Sequence, residues 1–182
     1  LPVAPYLSFT RHAWEQDATR AAARVEATLG YPVFVKPANL GSSVGISKVK
    51  ASSQLAQAVA TAFEFDRKIV IDAAVPHARE LECAVLGNDE PEASVVGEVV
   101  PLREFYDYEA KYLDEGSKVI IPAVVSEALA RQIRRLALEA FASVDGAGMA
   151  RVDFLMDGTS DALYVNEVNT IPGFTPISMY PK

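Results

Sequence analysis

Arg151 and Asp153 stand two apart in one β-prone run, and Glu167 and Asn169 stand two apart in the next. Strand alternation turns each pair to a single face. If the hairpin between the runs turns symmetrically about Thr159, the two faces coincide and cross-strand neighbours fall ~5–8 Å apart. Two carboxylates and an amide oxygen, with no His or Cys among them, are hard donors. They suit Mg2+ completed by water and substrate phosphates better than a catalytic zinc. A salt-bridged hairpin in which Arg151 merely offsets Asp153 is the plainer alternative. The following stretch, NEVNTIPGFTPISMYP, favours a substrate loop, because Gly173, the prolines and the hydroxyls of Thr170, Thr175 and Ser178 are unusual for a plain connection.

A second set is Lys36 followed by Gly41-Ser42-Ser43-Val44-Gly45. A glycine-bearing turn lets backbone amides and hydroxyls surround phosphate oxygens while a nearby ammonium neutralises them. It is not a Walker A loop, because the lysine precedes the glycines at a strand end instead of following them at a helix start. Read alone, such a loop is more often just a flexible hairpin turn. A third set is FYDYEAKY, where Tyr106, Tyr108, Lys111 and Tyr112 form either a water-excluding lid with a cation or a packed aromatic corner. His12 and His77 have no partner suggesting a triad. Cys83 alternates inward with Leu81 and Val85 as a small core residue, and no G-x-S-x-G elbow supports a serine hydrolase.

The elements that must position these groups are legible in outline. Ala13 to Leu29 is rich in helix formers and ends at Gly30; Tyr31 to Val35 is a β-branched and aromatic run leading into Lys36-Pro37. Ile46 to Val49 reads as the returning strand, and Ser52 or Ser53 can cap a helix that sets Leu55, Val59 and Phe63 on one side. Strands follow at Ile69-Val70-Ile71, Glu80 to Leu86 and Val95 to Val100, with Glu80 and Glu82 opposite the buried face of the second. Ser126 caps a helix with Leu129, Ile133, Leu136, Ala137 and Ala140 at helical spacing, whose Arg131, Arg134 and Arg135 make its solvated side. Ala150 to Met156 and Leu163 to Val168 are the hairpin strands. The shift from mixed to strand-rich sequence places a division between residues 1–71 and 72–182, each an α+β unit.

The 182 residues, half of them hydrophobic, are enough for one sizeable core or two small ones. With 17 Lys and Arg against 24 Asp and Glu, the net charge of −7 offers no basic field for nucleic acid or anionic lipid, so any phosphate binding is local. No apolar run approaches the ~20 residues of a membrane span. One cysteine and a start, LPVAPYLSF, without a charged signal-peptide region fit a reducing cytoplasm. Both ends read as cut, which points to a fragment.

VKPANLGSSVG, RELECAVLG, FYDYEAKY, GMARVDF and NEVNTIPGFTPISMYP, in this order and spanning the whole chain, resemble the motifs of the D-alanine–D-alanine ligases within the ATP-grasp superfamily. The resemblance implies an α+β ATP-grasp fold in which residues 1–71, the central lid part, and 72–182, the C-terminal part, grip a nucleotide between them. It implies ATP and Mg2+ (or Mn2+) as cofactors, D-alanine as substrate, and a homodimeric, cytoplasmic full-length enzyme serving peptidoglycan synthesis, with no nucleic-acid or membrane partner.

Residue by residue, Lys36, Ser43 and Lys111 fall on nucleotide or phosphate positions, Asp72 and Val75 near adenine, and Glu80 on ribose. Asp153, Glu167 and Asn169 fall on the metal ligands; Arg151 and Gly173 fall where the tetrahedral oxyanion is stabilised. Ser178 and Met179 match the hold on the second substrate's carboxylate, and Ser42 and Tyr112 match the pair that closes the lid. The implied reaction joins a D-alanine carboxylate to the γ-phosphoryl group and then lets a second D-alanine amine displace phosphate. Two departures stand out. The family's N-terminal domain and final helix lie outside the sequence, and Asp72-Ala73 replaces a usual Glu-Lys or Glu-Glu. Another ATP-grasp ligase, such as one joining D-alanine to a hydroxy acid, and a nucleotide-binding module without ligase activity are the competing readings.

Overall fold

The structure, a computed structural model, describes residues 1–41, 43–100, 118–175 and 178–182. Ser42 and the FYDYEAKY segment with Lys111 and Tyr112 therefore lie outside the described residues. The chain divides into two compact units, with the break at Ala74–Val75.

The unit Ala4–Ala74 is a four-stranded antiparallel sheet with helices. Its strands are β1 (Tyr6–Thr10), β2 (Val33–Pro37), β3 (Ser47–Val49) and β4 (Lys68–Ala73), ordered β1-β4-β2-β3. The β1 strand was not anticipated from the proline-bearing start; it pairs with β4 from Tyr6↔Asp72 to Thr10↔Lys68. The helix expected over Ala13 to Leu29 is instead two, α1 (Arg11–Gln16) and α2 (Ala18–Leu29). Asp17 leaves helical dihedrals and its carboxylate accepts from the Arg20 amide at 2.9 Å, which restarts the chain as a new N-terminus.

Helix α3 (Ser52–Phe65) also differs at its start. Ala51 is the cap residue, with no side-chain cap from Ser52 or Ser53, and the Gln54 side chain accepts from the Lys50 amide at 2.8 Å. Alternation in β2 and β4 buries Val33, Val35, Ile69 and Ile71, and α2 and α3 cover that face with Val25, Leu55, Val59 and Phe63. The opposite alternation leaves Lys36 on the other side of β2.

The second unit takes Leu1–Val3, Val75–Val100 and the chain from 118 onward. Strands β5 (Arg79–Gly87), β6 (Glu92–Val100), β7 (Lys118–Ile120), β8 (Gly148–Met156) and β9 (Leu163–Asn169) form an antiparallel sheet ordered β7-β6-β5-β8-β9. Helix α4 (Glu127–Ser143) is capped by Ser126 Oγ, which accepts from the Leu129 amide at 3.2 Å. It buries Ile133, Leu136, Ala137 and Ala140 against Leu81, Cys83, Val85, Val152 and Phe154. This one packed face fixes the odd or even phase of every strand, and so decides which residues stand on the open face.

The arginines of α4 are not uniformly its solvated side. Arg131 and Arg135 pair along the helix with Glu127 and Glu139, but Arg134 reaches back and donates to the Ala93 carbonyl at 2.8 and 3.2 Å. Among the described residues no helix is long and apolar enough to cross a membrane.

Candidate active site

The open face of the five-stranded sheet carries Glu82 on β5 and Arg151 and Asp153 on β8. Each faces away from the buried Cys83, Val152 and Phe154, and Glu167 and Asn169 of β9 stand beside them. The hairpin register differs from a turn symmetric about Thr159. Next to the turn the pairs are Met156↔Leu163, Leu155↔Tyr164 and Phe154↔Val165. Had that register continued, Asp153 would face Asn166 and Glu167 would be opposite the core residue Val152. A one-residue bulge between Phe154 and Asp153 absorbs Asn166, and beyond it Asp153 pairs with Glu167 and Arg151 with Asn169. The bulge is what sets the two carboxylates directly opposite each other.

The side chains form one connected network. Arg151 donates from Nε to Asp153 Oδ1 and from Nη2 to Asp153 Oδ2, both at 2.6 Å, a bidentate fork. Asn169 Nδ2 donates to Asp153 Oδ2 and to Glu167 Oε1, each at 3.0 Å. Glu82, the cross-strand partner of Asp153, brings Oε2 to 3.1 Å from Arg151 Nε.

Burial pushes the Asp153 carboxyl up to about 7, and the neighbouring charges of Glu82 and Glu167 add to the rise, while the hydrogen bonds and charge of Arg151 act against it. Burial lowers the Arg151 guanidinium, yet the Asp153 hydrogen bonds and the charges of Asp153, Glu82 and Glu167 outweigh it and hold Arg151 above its ordinary value. Three carboxylates around one guanidinium leave the cluster short of positive charge.

That shortage is the observation on which a cation can be tested. Among the described residues no group of three or more His, Cys, Asp or Glu is arranged as a metal cage. The set here is smaller, with two opposed carboxylates and the Asn169 amide, whose oxygen becomes a third ligand once the side chain turns its Nδ2 away from them. Oxygen donors alone, few in number and on a partly open face, fit Mg2+, which keeps waters and shares phosphate oxygens. The residues fit the ion.

The substrate-loop residues are brought together nearby in sequence. A Cβ on Gly173 would lie 2.7 Å from Ser178 Oγ, so a larger residue there would push the hydroxyl from its present place. Ser178 Oγ in turn accepts from the Thr175 amide at 3.0 Å and shares a 2.9 Å hydrogen bond with the Thr175 hydroxyl. Met179 rests on Gly97 of β6, where a Cβ would come within 2.5 Å of its Cε. Arg151, Glu82, Gly97, Met179 and Tyr180 line a cavity of about 110 Å3 on this face. Tyr180 is tied down by a 3.0 Å hydrogen bond from its hydroxyl to the Val85 carbonyl.

In the other unit, Lys36 forms an ion pair with Asp72 of β4, joining two residues expected at different parts of a nucleotide. The loop after Lys36 turns through Ser43 at φ 59° and Gly45 at φ 73°. A Cβ on Gly45 would strike Phe65 at 2.6 Å and Pro37 at 2.9 Å, so the return into β3 requires glycine. Glu80 is half-buried on β5, and Val75 is half-buried in the link from β4 to β5. Sequence reasoning missed Glu82 and Gly97 as site residues. The signal for Glu82 was its place two residues after Glu80 on the acidic face of a strand whose other face is core.

The chain matches the family described as D-ala D-ala ligase C-terminus over residues 1–182. It is 56% identical over 182 residues to a D-alanine–D-alanine ligase of Chloroherpeton thalassium, covering all of this chain and 50% of that protein. It is 52% identical over 178 residues to one of Bacillus cytotoxicus, covering 98% of this chain and 49% of that protein. Among solved structures, the VanG D-Ala:D-Ser ligase from Enterococcus faecalis aligns at 36% identity and TM-score 0.85, over all of this chain and 51% of that one. The D-alanine-D-alanine ligase from Coxiella burnetii aligns at 37% identity and TM-score 0.78, over all of this chain and 46% of that one. The chain spans about half the length of the curated relatives it matches.

Proposed function

This chain belongs to the D-ala D-ala ligase C-terminus family, and from that premise we propose that it is the nucleotide- and metal-binding part of an ATP-dependent ligase that forms D-alanyl-D-alanine through an acyl phosphate. Its architecture is the α+β ATP-grasp fold of its structural relatives. The observation that carries the reading is the Arg151, Asp153, Glu167 and Asn169 network, an electropositive fork and two opposed carboxylates on one open face.

In this reading Asp153, Glu167 and Asn169 hold Mg2+ (or Mn2+), which supplies charge neutralisation for the phosphates when bound. Lys36, Ser43 and the glycine loop take phosphate oxygens, Asp72 and Val75 serve adenine, and Glu80 serves ribose. Lys36 must share its ammonium between Asp72 and phosphate. Arg151 and the backbone at Gly173 stabilise the oxyanion, and Ser178 and Met179 hold the second substrate. Ser42, Lys111 and Tyr112, outside the described residues, act as the closing lid that keeps water from the acyl phosphate. The complete enzyme is read as a cytoplasmic homodimer acting on small molecules in peptidoglycan precursor synthesis.

One structural relative is named a D-Ala:D-Ser ligase, so D-serine is the second reading for the second substrate. The 50–56% identity to relatives named D-alanine–D-alanine ligase favours D-alanine here. Phosphate release from ATP by the full-length protein tests the reading. D-alanine alone is expected to trigger it, with the dipeptide as product. Release triggered only by a D-alanine and D-serine mixture, or by D-alanine and a hydroxy acid, would replace the dipeptide reading, and release triggered by none of them would remove it.

A further inference from the structure

We propose that Glu82 is a positioning residue that holds the Arg151 guanidinium over the cavity when Asp153 is engaged by a cation. The inference rests on the ligase reading of the cluster and adds a residue to it.

Arg151 is anchored through one edge. Its Nε and Nη2 both point at Asp153, and that carboxylate is also the one opposite Glu167 that the cation would share. A cation drawing on both Asp153 oxygens weakens the fork, and an arginine stem with several rotatable bonds then needs a second anchor to keep its donors aimed. Glu82 meets that need on three counts. It stands directly across from Asp153 in the β5–β8 register, with Ala84 across from Arg151. Its Oε2 lies 3.1 Å from the same Nε that Asp153 engages, an ion-pair contact available to tighten when Asp153 turns away. Its side chain is 15% exposed and lines the cavity together with Arg151, Met179 and its cross-strand partner Gly97. Ala84, next along the same face and across from Arg151, lines the same cavity with a side chain of one carbon. Glu82 thereby keeps the outer N–H groups of Arg151 on the cavity side, where developing negative charge would sit.

The test uses the full-length enzyme with Glu82→Gln, which keeps shape and removes charge, and Glu82→Asp, which keeps charge and shortens reach. Expected for Glu82→Gln is turnover lower by about tenfold to a hundredfold, the usual range for losing an orienting carboxylate. Mg2+–nucleotide affinity by calorimetry and the melting temperature should stay at wild-type values, and Glu82→Asp should recover part of the turnover. In an Arg151→Lys background, Glu82→Gln should cost little more, because both act through one group. Wild-type turnover in Glu82→Gln, or nucleotide affinity falling in step with turnover, overturns the inference. If Arg151→Lys itself keeps wild-type turnover, the reading of Arg151 falls and the role of Glu82 with it. If Arg151→Lys loses turnover and Glu82→Gln does not, only Glu82 is struck out.

Discussion

The chain neutralises two basic groups in two different ways, one in each compact unit, and the proposed function reads the first as a phosphate site and the second as a cation site. Among the described residues Lys36 pairs with one carboxylate, that of Asp72 on a neighbouring strand of its own sheet. Arg151 meets Asp153 by a bidentate fork and Glu82 by an ion pair, with Glu167 tied in through Asn169. The first arrangement has one ammonium that phosphate can draw away from a partly exposed aspartate. The second sets three carboxylates around one guanidinium, and Asp153 is raised to about 7, first by its burial and then by the charges of Glu82 and Glu167. A buried carboxylate crowded by like charges either keeps a proton or takes a further positive charge beside it. On the function proposed above, that further charge at the hairpin is a cation, and Lys36 with the glycine loop takes phosphate.

The largest expected effect separates charge from geometry at the hairpin. Arg151→Lys keeps the charge and loses the planar fork, and turnover of the full-length enzyme is expected to fall about 10²–10³-fold, the range for removing an oxyanion donor. Turnover and turnover divided by the Michaelis constant should fall together while nucleotide affinity holds. Turnover near wild type with weakened ATP binding would make Arg151 a ground-state binding residue.

At the other region, Lys36→Ala should weaken nucleotide binding by about 1.5–3 kcal/mol, the worth of a hydrogen bond to a charged group. Calorimetry checks it, and unchanged affinity would leave the lysine as only a partner of Asp72. A smaller effect concerns pH. Because burial raises Asp153 toward about 7, a proton competes with the cation below that value; Mg2+ affinity should climb as pH rises toward 7 and level off above it. A flat profile from pH 5 to 8 (about the range in which such a group titrates) would contradict the assignment. The smallest effect belongs to the bulge. Deleting Asn166 leaves Phe154↔Val165 and Asp153↔Glu167 as consecutive pairs, so cation-dependent nucleotide binding should survive the deletion. Its loss would show that the bulge does more than set the register.

The fold was legible where one periodicity ran unbroken. Helix α4, the buried phase of β5 and the faces of β8 followed from apolar spacing alone, because one packed face decides the phase of an antiparallel strand. It was less legible where a single polar residue resets the chain. Asp17 splits a helix-prone run by capping the next helix, and propensity summed over a window does not register one cap. The convergence of Asp153 with Glu167 was anticipated, but through the wrong turn geometry. The clue lay in the apolar residues Leu163, Val165 and Val168, whose phase slips by one at Asn166. Pairings between strands distant in sequence, such as Lys36 with Asp72 and Arg151 with Glu82, carry no local pattern and needed the sheet order.

The central claim, that the β8–β9 face is a cation-dependent nucleotide site, is tested most directly by titrating nucleotide with and without Mg2+ in the full-length protein and in Glu167→Ala. The account predicts that Mg2+ strengthens binding in the wild-type protein and that most of this gain disappears in Glu167→Ala, with affinity in the absence of Mg2+ little changed. An equal Mg2+ gain in both proteins would contradict it and remove Glu167 from the site.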